Sequence, residues 1–278
     1  NDRDTYVPAL KLGDVMRALT VGEVMASENP AFAMGDFVAG FDGVQEYAIS
    51  DGSALMKADT NLAPLSAYLN SLGIAGLTAY CGLIEVGTPK AGETVVVSGA
   101  AGSVGSHVGR IAKIKGCRTV GIAGGTRKCA FLIDEFGFDA AIDYKNEALD
   151  AGLARTCPDG IDIFFDNVGG EVLDAALARI NFHARVVICG AISQYNNTEP
   201  VEGPSNYLSL LIRSARLEGF IYLNWQKQWP AMIGELAKWR ADGKLNCPDD
   251  IVEGGLKAFP DTLLRLFSGD NFGKLMIK

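Results

Sequence analysis

From Thr94 onward the chain alternates two patterns. Short, nearly continuous apolar runs occur at 94–98 (TVVVS), 118–122 (RTVGI), 140–142 (AAI), 161–165 (IDIFF), 185–189 (RVVIC) and 216–222 (RLEGFIY). Between them, apolar positions recur every three or four residues. Strands that are apolar throughout are what a parallel sheet covered on both faces requires. After the first run, Val104, Val108, Ile111 and Ala112 fall on one face of a helix. The alternation predicts a doubly wound α/β domain. A further helix is predicted after Pro230, with Ile233, Leu236, Ala237 and Arg240 in register and Gly243 as its end signal. Residues 1 to about 60 read differently. Runs such as DFVAGF and VQEYAIS are short strands broken by turns, a mostly β segment. From Pro64 to about Ile84 the pattern turns helical on Leu65, Leu69, Leu72 and Leu77. The tail to Lys278 carries short strand-like pieces and is expected to rejoin the first segment.

The loop between the first strand and its helix, SGAAGSVGS, places Gly99, Gly102 and Gly105 at a GxxGxxG spacing. A tight turn off a buried strand, with no Cβ in the way, lets backbone N–H groups and a helix N-terminus meet a pyrophosphate. Alone the spacing is weak, because small residues also serve close packing; the strand before it and the helix after it favour nucleotide binding. The second strand ends in GIAGGTRKCAFL. It has no carboxylate for ribose hydroxyls, but after Gly124 and Gly125 come Thr126, Arg127 and Lys128. Cations are unfavourable beside the positive end of a helix dipole, so this pair suits a 2′-phosphate, and NADP rather than NAD is expected. Tyr144 after the third strand, Asn167 in FDNVGG after the fourth and CGAISQYNN after the fifth are expected to converge on the same crevice.

Composition narrows the classes. The chain has 278 residues with 33 acidic and 25 basic side chains, and no Lys/Arg cluster interleaved with aromatics. Nucleic acid and anionic membrane are therefore not expected partners. No apolar run approaches the roughly 20 residues that span a bilayer. Six cysteines are scattered without a CxxC pair, and His107 and His183 are the only histidines. No metal site is expected, and the reading is a reduced, cytoplasmic protein. His107 is read as a surface residue and His183 as a structural residue in the loop before the fifth strand. Trp225, Trp229 and Trp239 are assigned to packing. Phe32, Phe37, Phe41 and Tyr47 are assigned to core packing of the first segment, with a share in an apolar substrate pocket.

Several motifs in order carry a family resemblance: YVPALKLGDVMRA, GLTAYCGLIEVGTPKAGETVVVSGAAGSVG, FDNVGG, CGAISQYN and GDNFGK. From about Thr5 to the C-terminus the chain resembles the zinc-independent medium-chain dehydrogenases/reductases, and within them the prostaglandin reductase and alkenal double-bond reductase family. The resemblance implies a Rossmann domain at 66–242 and a GroES-like β-barrel catalytic domain at 1–65 and 243–278, with the active site between them. Family members are longer at the front, and the opening NDRDTY lacks an initiator Met, so the barrel is expected to be N-terminally incomplete. The resemblance assigns the pyrophosphate turn to Gly102, Ser103, Val104 and Gly105, with Lys128 at the 2′-phosphate and Tyr144 beside it; Gly125, next to them at the strand end, is a further cofactor-binding candidate. Asn167 and the run Cys189, Gly190, Ala191, Ile192, Ser193 and Tyr195 are assigned to the ribose and nicotinamide half. Phe220, Ile221 and Tyr222 are assigned to a strand whose backbone meets the carboxamide, and Asn271 to a contact from the other domain. The GHE motif of the zinc members is replaced by RALTVGEV, and their four-cysteine lobe is lacking.

The activity implied is NADPH-dependent reduction of the C=C bond of α,β-unsaturated ketones or aldehydes. Charge developing on the carbonyl oxygen then needs protein hydrogen-bond donors. Tyr195 is the leading donor, with mere cofactor packing as its alternative, and Tyr6 is the second candidate. None of the eight tyrosines has Lys four residues later, which removes a short-chain dehydrogenase. An NADPH quinone oxidoreductase of the same superfamily and a non-catalytic NADP-binding relative stay open as alternatives. The resemblance also implies a homodimer.

Overall fold

The computed structural model describes residues 8–278. Strands β1 (Thr20–Glu23), β2 (Phe37–Gly40) and β3 (Met56–Lys57) form a small antiparallel sheet, with Thr20 opposite Gly40 and Ala39 opposite Met56. Two short helices follow, α1 (Leu65–Leu69) and α2 (Ile74–Tyr80), and α2 runs on into a π-helical segment, Cys81–Gly87. Next come β4 (Thr94–Ser98), α3 (Ser103–Ile114), β5 (Arg118–Ala123), α4 (Thr126–Asp134), β6 (Ala140–Asp143) and α5 (Leu149–Thr156). The second half repeats the pattern with β7 (Ile161–Asp166), α6 (Gly170–Leu177), β8 (Ile180–Ile188), α7 (Leu208–Ile212) and β9 (Arg216–Gly219). The chain ends with α8 (Trp229–Ala241), β10 (Asp249–Val252), α9 (Phe259–Ser268) and β11 (Lys274–Ile277).

Strands β4 to β9 form one wholly parallel sheet in the order β6-β5-β4-β7-β8-β9. Successive side chains along a strand point to opposite faces, and each face has its own core. Val95, Val97 and Phe165 pack into one; Val96, Val120 and Phe164 pack into the other. All six are fully buried, or nearly so. This is the doubly wound arrangement that the uninterrupted apolar runs predict.

Four expectations need correcting. The last sheet strand stops at Gly219, so Phe220, Ile221 and Tyr222 lie beyond it, with Tyr222 opening a 3-10 turn. Strand β8 begins at Ile180 and takes in the NFHAR segment, in which His183 has φ +60° and donates its N–H to Arg213 O at 2.8 Å. The tail is not only strand: α9 opens with Pro260 in its first turn and closes on Gly269 at φ +70°. Its strands β10 and β11 pair with each other in parallel, and the tail faces the first segment across a cavity of about 510 Å³ between Leu19, Thr20 and Val44 on one side and Phe259, Lys274 and Met276 on the other.

The fourth correction is His107, which is completely buried. It sits four residues before Ile111 on the inward face of α3. Its Nδ1–H donates to Ser103 O at 2.6 Å, and its Nε2 has no partner among the described residues. Burial pushes the imidazole down to about 4, against about 6.5 in an unfolded chain. Between those values the unfolded state binds the extra proton, so stability is fully present above pH 6.5 and is lost as pH falls through 4. We expect His107→Val to remove roughly 3 kcal/mol of the stability difference between pH 7 and pH 4. Urea midpoints at both pH values would check this; equal pH slopes in the two proteins would mean the imidazole is not held neutral.

Candidate active site

The strand order reverses between β4 and β7, which opens a crevice at their carboxyl ends. Its floor is braced by side chains. Ser98 Oγ donates to Asp166 Oδ1 at 2.7 Å and accepts from Asn167 N at 2.8 Å. Asn167 Nδ2 donates to Ser98 O at 2.7 Å. The fully buried Asp166 carboxylate also accepts the N–H groups of Val168 and Gly169 at 3.0 and 3.1 Å. Burial raises the Asp166 carboxyl above its usual range, opposed by those hydrogen bonds. Sequence reasoning missed Ser98 and Asp166; a Ser and an Asp closing two apolar strands were the available signal.

The glycine turn leaves β4 with Gly99 at φ +59°. A Cβ on Gly105 would lie 2.4 Å from Gly99 O and 2.8 Å from Ala100 Cα, so only glycine lets α3 start this close to the turn. Ser103, Val104 and Gly105 are the first residues of α3, ahead of its internal carbonyl ladder. No side chain caps this end and no acidic residue stands in its first turn. The buried Ser103 hydroxyl has no hydrogen-bond partner among the described residues. A bare positive helix end with an unpartnered hydroxyl fits a pyrophosphate.

At the end of β5, Gly125 adopts φ +96° and its N–H donates to Asp143 Oδ1 at 2.7 Å. The Asp143 carboxylate is occupied locally, since it also accepts from Asn146 Nδ2 at 2.7 Å and Lys145 N at 3.2 Å. A Cβ on Gly124 would meet Tyr144 Oη at 2.8 Å and Lys145 Cε at 2.9 Å, so those side chains roof the end of the strand. Desolvation lowers the Lys128 ammonium below its usual range, and repulsion from Lys145 adds to the effect against the attraction of Asp270. Among the described residues, Arg127, Lys128 and Lys145 make no ion pair. Three cations gathered without a paired carboxylate fit a phosphate monoester. Lys145 escaped the sequence reading because it belongs to a different strand end.

The loops after β7 and β8 meet face to face. Cys189 N and Gly190 N donate to Asp166 O at 2.9 and 3.1 Å, Ile192 N donates to Asn167 O at 3.2 Å, and Ser193 Oγ donates to Val168 O at 2.6 Å. Burial pushes the Cys189 thiol up to about 12, so it stays a protonated, inert side chain. Tyr195 is 60% exposed, and its Oη accepts from Ala191 N at 3.2 Å over Gly190. The phenol therefore keeps its own hydrogen for another acceptor.

Phe220 turns its ring inward against Phe165 and Trp225. Tyr222 stacks on Trp229 at 5.2 Å, and Trp239 is buried against Tyr80. Asn271 donates from Nδ2 to Gly273 O at 3.2 Å in the tail loop. That loop reaches the glycine turn, where Gly273 N donates to Ala101 O at 2.9 Å. Tyr6 lies outside the described residues. Phe41 and Tyr47 are exposed, and neither they nor Phe32 and Phe37 line the 510 Å³ cavity. None of the residues at the carboxyl ends of β4 to β8 lines that cavity. Among the described residues no three His, Cys, Asp or Glu side chains are grouped to hold a metal ion.

Residues 103–238 match the family described as zinc-binding dehydrogenase, and residues 1–58 match the N-terminal domain of oxidoreductase. The chain is 45% identical over 280 residues to a putative NADP-dependent oxidoreductase, YfmJ, of Bacillus subtilis, covering 100% of this chain and 82% of that protein. It is 40% identical over 283 residues to the NADPH-dependent curcumin reductase of Escherichia coli, with the same coverage. Mouse prostaglandin reductase 1 is 42% identical over 275 residues, covering 97% of this chain and 83% of the relative. Among solved structures, CurA from Vibrio vulnificus in complex with NADPH superposes with a TM-score of 0.94 at 40% identity, over 100% of this chain and 84% of that one.

Proposed function

Because the chain belongs to the prostaglandin reductase and alkenal double-bond reductase family of zinc-independent medium-chain dehydrogenases/reductases, we propose that it reduces the C=C bond of α,β-unsaturated ketones and aldehydes with NADPH. The observation that carries this reading is the exposed Tyr195 phenol at the carboxyl end of β8, held by the Ala191 N–H with its own hydrogen uncommitted.

NADPH, when bound, supplies the hydride for the substrate's β-carbon. The residues that would hold it are Gly102 to Gly105 at the pyrophosphate, Lys128, Arg127 and Lys145 with Gly125 and Tyr144 at the 2′-phosphate, and Asn167 with Cys189 to Tyr195 along the nicotinamide half. The Ser98–Asp166–Asn167 hydrogen bonds keep the ends of β4 and β7 in fixed register beneath the crevice. As the double bond is reduced, negative charge grows on the carbonyl oxygen. Tyr195 donates its hydrogen bond there and then relays a proton to the α-carbon. The domain assignment follows the same reading: residues 66–242 bind the dinucleotide, residues 1–65 and 243–278 close the cleft, and the chain leaves α8 through Gly243 at φ +70°.

The reading is tested by offering the protein a short alkenal, an α,β-unsaturated ketone and a benzoquinone, each with NADPH and with NADH. Saturated carbonyl product formed from the enal or enone, with NADPH preferred, is the expected result. Turnover of the benzoquinone alone would make it a quinone oxidoreductase, and tight NADPH binding without any turnover would make it a binding protein.

A homodimer is part of the proposal. Strand β9 is an edge strand among the described residues, with all four residues exposed, Leu217 among them, and it is flanked by Tyr207 and by Leu211 and Ile212 at 77% and 67% exposure. Open strand edges beside apolar side chains are templates for pairing with a second chain. Sedimentation should give twice the 29.5 kDa chain mass, and Leu211→Glu with Ile212→Glu should give the monomer; an unchanged particle would refute this interface. The six free cysteines support a reducing, cytoplasmic location, which co-fractionation with soluble cytoplasmic markers would check.

A further inference from the structure

We infer that Phe272, in the tail loop Gly269–Gly273, is a specificity-determining positioning residue that sets the cations reading the cofactor's 2′-phosphate. The inference rests on the NADP reading and goes beyond it by assigning discrimination to a side chain more than a hundred residues from the phosphate cluster. Phe272 carries no charge and no hydrogen-bonding group, so nothing in its chemistry touches a phosphate directly. Its effect must come through what it holds.

The ring of Phe272 lies under both neighbouring cations. The Arg127 guanidinium is 4.9 Å from its centroid and the Lys128 ammonium 5.4 Å. The ring is fixed from behind by Phe131, edge-on at 5.1 Å, and Phe131 is itself edge-on to Phe136 at 5.0 Å. The loop's backbone is fixed as well. Gly269 O accepts from Lys128 Nζ at 2.6 Å, Phe272 N donates to Asp250 Oδ2 at 3.4 Å, and Gly273 N donates to Ala101 O. A Cβ at Gly273 would lie 2.3 Å from Pro248 O, so glycine is what lets the loop pack this close to Pro248. One five-residue segment thus grips both places where the dinucleotide's phosphates would sit.

Two like charges beside the positive end of α4 repel each other and the helix dipole. Free long side chains in that position would spread into solvent. An aromatic face attracts a cation, and a carbonyl bond restricts the lysine further. An ammonium has three donors, so Lys128 can hold Gly269 O and still offer two to a phosphate. Phe272 therefore pre-organises the cations before the ligand arrives, which lowers the ordering cost of binding. A ligand without the 2′-phosphate gains nothing from this arrangement.

The test uses the full chain and two probes, 2′,5′-ADP and 5′-ADP, titrated calorimetrically. Phe272→Leu and Phe272→Met are expected to weaken 2′,5′-ADP about five- to tenfold, the loss of the aromatic face, and to leave 5′-ADP within about twofold. Phe272→Tyr should restore the wild-type ratio, because the ring is kept. Equal weakening of both probes would reduce Phe272 to a packing residue, and no change in either would overturn the assignment; if one variant fails to fold, the other with the tyrosine rescue decides. The underlying reading fails separately. If Lys128→Gln leaves the preference for 2′,5′-ADP intact, the 2′-phosphate site is elsewhere, whereas dependence on Lys128 with indifference at Phe272 overturns only the role of the ring.

Discussion

Replacing Lys128 by alanine is expected to raise the dissociation constant for NADPH about thirtyfold, while that for NADH changes less than about twofold. A hydrogen bond to a charged group contributes about 1.5–3 kcal/mol, and 2 kcal/mol corresponds to about thirtyfold. The figure is not larger because Arg127 and Lys145 remain beside the site. It is not smaller because Lys128 is desolvated. Burial and the neighbouring Lys145 both lower its ammonium, and only Asp270 opposes them, so the charge is held at a cost that an arriving anion relieves. Fluorescence titration with both cofactors measures the ratio directly. An unchanged ratio would mean that the cations at the start of α4 face solvent and recognise nothing.

Tyr195→Phe is expected to lower kcat about a hundredfold, with NADPH affinity within about twofold of wild type. A donor aimed at developing charge on oxygen is worth roughly 3 kcal/mol, and the substitution removes only the oxygen of a side chain whose ring stays in place. The phenol accepts the Ala191 N–H at 3.2 Å; phenylalanine leaves that N–H on an exposed loop, where water replaces the partner. Loss of kcat with retained binding identifies the donor. Loss of cofactor affinity with retained kcat would instead make Tyr195 a cofactor contact, and no change in either would remove it from the mechanism.

Much of the candidate site is legible in the amino-acid sequence. The glycine turn, the Thr-Arg-Lys sequence after β5 and the polar residues closing β6, β7 and β8 all lie within a few residues of an apolar run, so each announces itself locally. The misreadings share a different character. His107 looks like a surface residue until the helix phase puts it four residues before Ile111. Its burial follows from which face of α3 meets the tail, and the apolar stripe alone does not specify how wide that face is. The helix α9 is readable from Pro260 at its start and Gly269 at its end, yet its half-exposed apolar residues give the look of short strands. Strand β8 reads as too short because His183 interrupts its apolar pattern with a left-handed residue.

The residues that only folding reveals act across distance. Lys145 joins Lys128 because β6 lies next to β5 in the sheet. Asp166 braces Ser98 because β7 lies next to β4. Phe272 reaches Arg127 because the tail returns over the glycine turn.

The amino-acid sequence by itself determined where the apolar runs of the parallel sheet fall, the apolar stripe of α3, the glycine turn and the cations that follow β5. Apolar periodicity, backbone freedom and local charge are properties that neighbours along the chain already impose. The tertiary structure alone decided which strand ends touch, which cations share a ring and which hydroxyl is left free. Those contacts join residues far apart in the chain, and only the packed sheet and the returning tail bring them within reach of one another.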